Sequence, residues 1–309
     1  MSKEKNPKEK QLIQLIDRPV SFLPYNVSWL PHAASLVAVG SSSRNTGAVA
    51  IYAIEGHDLS IHVETETKER IRCAALTDKL VTGTFEGVLQ QWDLERMERP
   101  SSTIKAHDTI INMVAAKGTE ILTGSRDGVV KLWDTRQPDP IGKLSSKEPS
   151  LDAWSVAFGN NDTRQLVAIG YENGDLALFD VSAAQYICKT NVGAGICSLA
   201  FSSDDATLIA STLDGHVVVQ LSTDITVSDK PDSKITHWTG KYLPQNDRFI
   251  GIAAGDGTFQ LLDNHNHVED LKVSNYPAMS CDWHRDKQGL FAICSFDRTI
   301  KVGMALGTS

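Results

Sequence analysis

The sequence predicts an all-β protein, a propeller of seven four-stranded blades closed by a strand from the N-terminus that pairs into the last blade. Three observations carry that prediction. One motif recurs seven times along the 309 residues, turns punctuate it at nearly constant spacing, and the seventh copy ends too near the C-terminus to supply its own outer strand.

The motif is a short apolar run, a small-residue step, a turn and a second alternating run. Its copies read LVAVGSSSRNTGAVAIYAI (36–54), LVTGTFEGVLQQWDL (80–94), ILTGSRDGVVKLWDT (121–135), LVAIGYENGDLALFDV (166–181), LIASTLDGHVVVQLS (208–222), IGIAAGDGTFQLLDN (250–264) and LFAICSFDRTIKVGM (290–304). Gly47, Gly87, Gly128, Gly174, Gly215 and Gly257 mark the turns, with Arg298 in the seventh place. A period of about 40–45 residues with an Asp-Gly-type turn is that of a propeller blade. Each turn reads as a two-residue hairpin, in which Asp-Gly or Asn-Gly adopts the positive φ values required. On both sides Val, Ile, Leu and Thr alternate with small or polar residues, as pleated strands do.

An inner strand is expected before each hairpin, at 25–30, 71–76, 110–116, 153–158, 196–201, 237–243 and 279–283, and a more polar outer strand after it, as at 59–66 and 186–191. Only five residues follow Met304, too few for a turn and a strand. QLIQLI at 11–16 is a spare strand, so the N-terminus is expected to cover that edge and remove an aggregation hazard. Length alone suggests about two domains. Repeat counting replaces that with one propeller over 11–309 and a charged, flexible tail over 1–10.

Composition narrows the function. With 41% hydrophobic residues the chain can bury a core, and a net charge of -8 argues against phosphate backbones and anionic membranes as primary partners. No apolar run approaches the roughly 18–20 residues of a membrane span, and MSKEKNPKEK does not read as a signal peptide, so a cytoplasmic protein is expected. The five cysteines form no CxxC pair and read as reduced thiols. His265 and His267 lie in a polar stretch without further ligands at zinc spacing and read as solvated loop. The sequons at 161–163 and 26–28 carry no weight without secretion.

The third repeat holds His107, Thr123, Asp127 and Trp133 at the spacing of a WD repeat. In WD-repeat proteins such a set forms a buried hydrogen-bond chain from indole through hydroxyl and imidazole to carboxylate, which locks a blade. That spacing accounts for all four residues without catalysis. Elsewhere the set decays. The second repeat keeps Thr82 and Trp92 but has Glu86 in the turn and Lys68 at the histidine place, and the fourth has Asn173 and Phe179. Repeats five to seven keep Asp214, Asp256 and Asp297 without the tryptophan, so apolar packing is expected to hold them.

Function in a propeller usually sits at the channel mouth. Aligned inner strands place Tyr25, Arg72, Asn112, Trp154, Cys197, Trp238 and Met279 there, and the residues before the turn acids add Phe85, Arg126, Glu172, Leu213, Gly255 and Phe296. Aromatics and arginines in such a ring have the composition of a protein-binding hot spot, although both tryptophans would equally serve to fill the channel or pack between blades. No facing carboxylates or clustered metal ligands are expected on this rim, and no phosphate-binding loop occurs. A non-enzymatic binding module without cofactor or metal is therefore expected. A substrate receptor or scaffold of a ubiquitin ligase would use the same rim.

The chain resembles the Monad-type WD-repeat proteins, small dynein axonemal assembly factors made of one propeller. TGSRDGVVKLWDTRQPD (123–139), AWSVAFGN (153–160), GYENGDLALFD (170–180), GICSLAF (195–201), LPQN (243–246) and SCDWHRDKQGLFAICSFDRTIKV (280–302) carry the resemblance, in the family's order and over most of the chain. The segment 263–278 looks shorter than the corresponding family loop, and the first repeat carries the polar insert SSSRNTG. The resemblance implies a monomeric adaptor in a larger assembly, working with a prefoldin-like co-chaperone complex that includes RuvB-like ATPases during preassembly of dynein chains.

Overall fold

A computed structural model describes residues 11–145, 151–162, 165–221, 226–228 and 234–308; the charged tail expected over 1–10 lies outside them. Among the described residues, 28 strands form seven antiparallel four-stranded sheets and no helix is present. The inner strands are Leu23–Trp29, Ile71–Leu76, Ile111–Lys117, Ala153–Phe158, Ile196–Phe201, His237–Leu243 and Ala278–Trp283, each within two residues of its expected place. Six sheets follow chain order from inner to outer strand.

The seventh sheet is completed from the other end of the chain. Leu12–Pro19 pairs antiparallel with Thr299–Ala305, from Leu12 opposite Ala305 to Pro19 opposite Thr299. A register shift between Gln14 and Ile16 makes Leu15 an extra residue and changes which face the strand presents. Leu12 therefore joins the core between blades six and seven, with Leu243, Phe249 and Phe291. Ile16 joins the core between blades seven and one, with Phe22, Tyr52 and Leu59. The Glu269 carboxylate, on the outer strand of blade six, accepts the Gln11 and Leu12 amide N–H groups at 2.7 and 3.1 Å.

Most of the hairpins differ from the two-residue turns expected, blade five excepted, where Thr212 pairs with Gly215 across Leu213-Asp214. Between Thr84 and Val88 the loop is Phe85-Glu86-Gly87, with Gly87 at φ 77° and its N–H directed to the Thr84 carbonyl. Only the last loop residue takes positive φ, so the acid before the glycine keeps an ordinary backbone. A side chain at Gly87 would stand 2.2 Å from the His107 carbonyl oxygen, because the chain entering blade three crosses directly over this turn. The Gly87 carbonyl accepts the Ala106 and His107 N–H groups there, both at 3.0 Å. Gly47 is not a turn residue. Asn45 takes the positive φ in blade one, and Gly47 opens the next strand, where a Cβ would meet the Glu69 carbonyl at 2.2 Å. Of the two histidines expected in a loop, His265 is in one and His267 is not. Asn264 and His265, at φ 45° and 67°, form a tight turn and His267 is on the outer strand Asn266–Lys272.

The small-residue step has a packing reason. A Cβ at Gly83 would meet Ile111 Cγ2 at 2.7 Å, and one at Gly170 would meet Ile196 at 2.7 Å, so these glycines seat the first residue of the following blade's inner strand.

In blade three the indole of Trp133 donates to Thr123 Oγ1 at 2.9 Å, Thr123 Oγ1 lies 2.7 Å from His107 Nε2, and His107 Nδ1 lies 3.0 Å from an Asp127 oxygen. With a neutral ring the hydroxyl donates to Nε2 and the Nδ1–H donates to the carboxylate. Burial lowers the His107 pKa against the opposing pull of Asp127, in keeping with that neutral form. In blade two Trp92 donates to Thr82 at 3.0 Å, and Thr82 donates to Gln90 Oε1 at 3.2 Å. Gln90 takes the place of the missing imidazole. Between blades six and seven rings do this: Phe259 stacks on Phe291 at 4.3 Å and Trp283 meets Phe291 edge-on at 5.7 Å. Blade seven departs from the apolar packing expected, because Asp297 accepts bonds from Ser274, Ser295 and Thr299 and its pKa falls to about 2. Burial opposes that fall, and the three hydroxyl bonds with Lys301 outweigh it.

Deleting residues 1–19 exposes the Thr299–Ala305 edge and loses the burial of Leu12 and Ile16, roughly 3–6 kcal/mol. The midpoint in a thermal melt should fall by about 5–10 °C, and an unchanged midpoint contradicts the closure. Thr123→Val preserves shape but strands a buried indole N–H and imidazole nitrogen. Chemical denaturation should show a loss of about 2–4 kcal/mol.

Candidate functional site: the channel mouth

All seven inner strands share one irregularity near their start. Pro24 opposes Gly40 and Asn26 opposes Val39, so Tyr25 has no partner. The same mismatch leaves Arg72, Asn112, Trp154, Cys197, Trp238 and Met279 as the extra residues of the other inner strands. A bulge re-aims the side chain of its extra residue, and sevenfold repetition aims all seven inward. They line one cavity of about 280 Å³, backed by Asn26, Cys73, Met113, Thr239 and Ser280. The alignment of inner strands located the first seven; the deeper residues gave no signal beyond following them by one position.

The turns add a second tier. Tyr25 packs against Phe85 at 5.5 Å and meets Phe296 edge-on at 5.8 Å, making an aromatic arc across blades seven, one and two. The Arg72 guanidinium lies 5.6 Å from the Tyr25 ring centre, and that of Arg70 lies 4.6 Å from the Phe85 ring centre. Both distances suit cation–π attraction. Arg70 was not singled out from the sequence, although it precedes Arg72 by one strand period.

The other side of the mouth is acidic. Asp152 lies 3.5 Å from Arg126, and its backbone N–H donates to Glu172 Oε1 at 3.3 Å. Burial, then the charge of Glu172, raises the Asp152 pKa, with Arg126 opposing. A carboxylate pair therefore reaches the rim, Asp152 joining the expected Glu172. The two acids sit side by side on blade four rather than facing one another across the cavity. Asn112 bonds the Ala153 carbonyl at 3.0 Å. Leu213 is exposed, and Gly255 lies beside the Trp238 indole.

Both tryptophans are half-buried, and each also touches the neighbouring turns. A Cβ on Gly195 would stand 2.7 Å from the Trp154 ring, so that indole lies over the start of blade five. Trp238, like Phe296, packs against the apolar cluster that contains Met279. Beneath it His237 is buried and stacks on His216, with ring centres 5.2 Å apart and Nδ1 atoms 3.3 Å apart. Burial lowers both imidazoles to about 4. His265 adds to the effect at His216; at His237, His216 adds to it and Asp256 opposes. Among the described residues no group of three or more His, Cys, Asp or Glu could hold a metal ion, and no helix is long and apolar enough to cross a membrane.

Comparison with known proteins agrees with the fold and narrows the family. The WD domain, G-beta repeat family matches residues 98–134 and 185–219. The chain is 33% identical to Dynein axonemal assembly factor 10 of Chlamydomonas reinhardtii over 95% of its own length and 96% of the relative. It is 33% identical to the Homo sapiens protein of the same name, over 94% and 96%. The crystal structure of the WD40 beta propeller domain of Doa1 superposes with a TM-score of 0.80 at 14% identity, covering 96% of this chain and 98% of that one.

The histidine pair sets a pH dependence. Unfolded imidazoles bind protons near pH 6.5 and these two resist until about pH 4, so stability is lost as pH falls through that window. Thermal midpoints should drop steadily from pH 7 to pH 4.5, and replacing both residues with glutamine should flatten that part of the slope.

Proposed function

This chain is a member of the dynein axonemal assembly factor 10 family, and from that premise we propose that it is a non-enzymatic adaptor in axonemal dynein assembly that docks proteins on its channel mouth. The observation that carries the reading is the ring of seven bulge residues, which brings Tyr25, Arg72, Trp154 and Trp238 around one cavity beneath Phe85 and Phe296. Rigid aromatic anchors beside arginine bind protein at low entropic cost, and a concave centre lets their contacts be desolvated. Catalysis asks for an activated group aimed at a reacting centre. Here the rim acids are adjacent to each other and to Arg126, and the buried histidines are stacked behind Trp238.

In finer terms, the partners we propose are a prefoldin-like co-chaperone assembly with RuvB-like ATPases, and dynein chains, met in the cytoplasm. Affinity purification of the full chain from ciliated cells, with bound proteins identified by mass spectrometry, tests this. RuvB-like ATPases and dynein heavy chains should be recovered with the wild type and reduced at least tenfold with Trp154→Ala/Trp238→Ala. Recovery of cullin adaptors instead would favour a ubiquitin-ligase scaffold. Unchanged recovery by a correctly folded double variant would overturn the assignment to the mouth.

A further inference from the structure

We infer that the channel mouth receives an acidic side chain of the partner, an aspartate or glutamate flanked by apolar residues, on the Arg72 guanidinium. The inference rests on the mouth being a protein-docking surface and adds the chemistry of what enters it.

Arg72 is the sole charged side chain among the twelve that line the cavity. The cations around it are occupied. Arg70 is 3.4 Å from Glu86, and Arg126 is 3.5 Å from Asp152. Arg72 has no hydrogen bond or ion pair among the described residues, and its contact is the face of Tyr25 at 5.6 Å. Its field reaches across the channel: burial raises the Cys197 thiol, on blade five, to about 12, and the Arg72 charge pulls the other way. A guanidinium without a counter-ion, walled by aromatic rings, gains more from a carboxylate than from water, and its planar fork accepts one in two parallel hydrogen bonds.

Size and polarity narrow the occupant. About 280 Å³ falls just below the range of roughly 300–1,000 Å³ typical of small-molecule sites. One or two side chains fit. Tyr25, Trp154, Trp238 and Met279 offer apolar wall to the residues on either side of the acid. Asp152 and Glu172 repel a carboxylate at blade four, so the acid is held toward blade two and an extended segment is given a direction.

The test uses the full chain and an array of N-acetylated, C-amidated nonapeptides with Asp, Glu, Asn or Gln at the centre and varied apolar flanks, its best binders measured by fluorescence polarisation. Peptides centred on Asp or Glu should bind at least about tenfold more tightly than their amide counterparts. Arg72→Gln, which loses no hydrogen bond or ion pair among the described residues, should erase that difference. Equal binding of acid and amide peptides, or a preference that survives Arg72→Gln, overturns the inference. If that happens while Trp154→Ala/Trp238→Ala still abolishes binding, the docking reading stands without it. If no peptide binds, or the double variant binds like the wild type, the docking reading falls and takes the inference with it. Inorganic phosphate binding more tightly than any acidic peptide overturns it in favour of a free anion.

Discussion

Each inner strand carries one residue more than the strand beside it, and the shape of the channel mouth follows from that mismatch. A regular strand would send the residue after Ile71 or Ala153 into an inter-blade face, where the neighbouring sheet leaves no room. The bulge takes that residue out of the pairing and turns it toward the axis. Because the mismatch sits at the same place in all seven sheets, seven unrelated side chains converge on the axis. The mouth is thereby freed to vary. Arginine, asparagine, cysteine, methionine, tyrosine and two tryptophans share one structural position.

Convergence requires a closed ring, and closure depends on one strand serving two interfaces. The shift at Leu15 sends Leu12 into the core of blades six and seven and Ile16 into that of blades seven and one. A strand without the shift would put both residues on one face and support a single interface. Glycine turns act at a smaller scale. The chain entering each following blade crosses a carbonyl such as that of Gly87, Gly174 or Gly257, so a turn in one blade anchors the entry to the next.

Much of this was legible in the sequence because propeller blades are local: the repeat period, alternation and spare N-terminal strand placed the inner strands within two residues and predicted the closing pair. Seven of the twelve residues of the cavity wall followed from aligning those strands. What escaped was geometry that depends on neighbours. The bulge leaves no compositional mark, since any residue can occupy it. Gly47 resembles a turn glycine yet is required by the approach of the Glu69 carbonyl. Asp152 and Glu172 lie 20 residues apart and meet only through the pairing of the first two strands of blade four. Gln90 replacing an imidazole was hidden because the histidine place of a repeat is in the connecting segment, whereas Gln90 is on the third strand.

Charge is distributed unevenly around the mouth of a protein whose net charge is -8, with Arg70 and Arg72 on one arc and Asp152 and Glu172 on another. In the proposed function, this polarised, aromatic mouth is where a partner protein is held. Site-specific photo-crosslinking in ciliated cells tests that most directly, with a photoreactive residue placed in turn at Trp238, at Tyr186 on an outer strand and at Lys241 toward the opposite end of the channel. Adducts to a dynein chain or a RuvB-like ATPase from position 238, and none from 186 or 241, are the predicted result. Adducts to those proteins from 186 or 241 and none from 238 would contradict it.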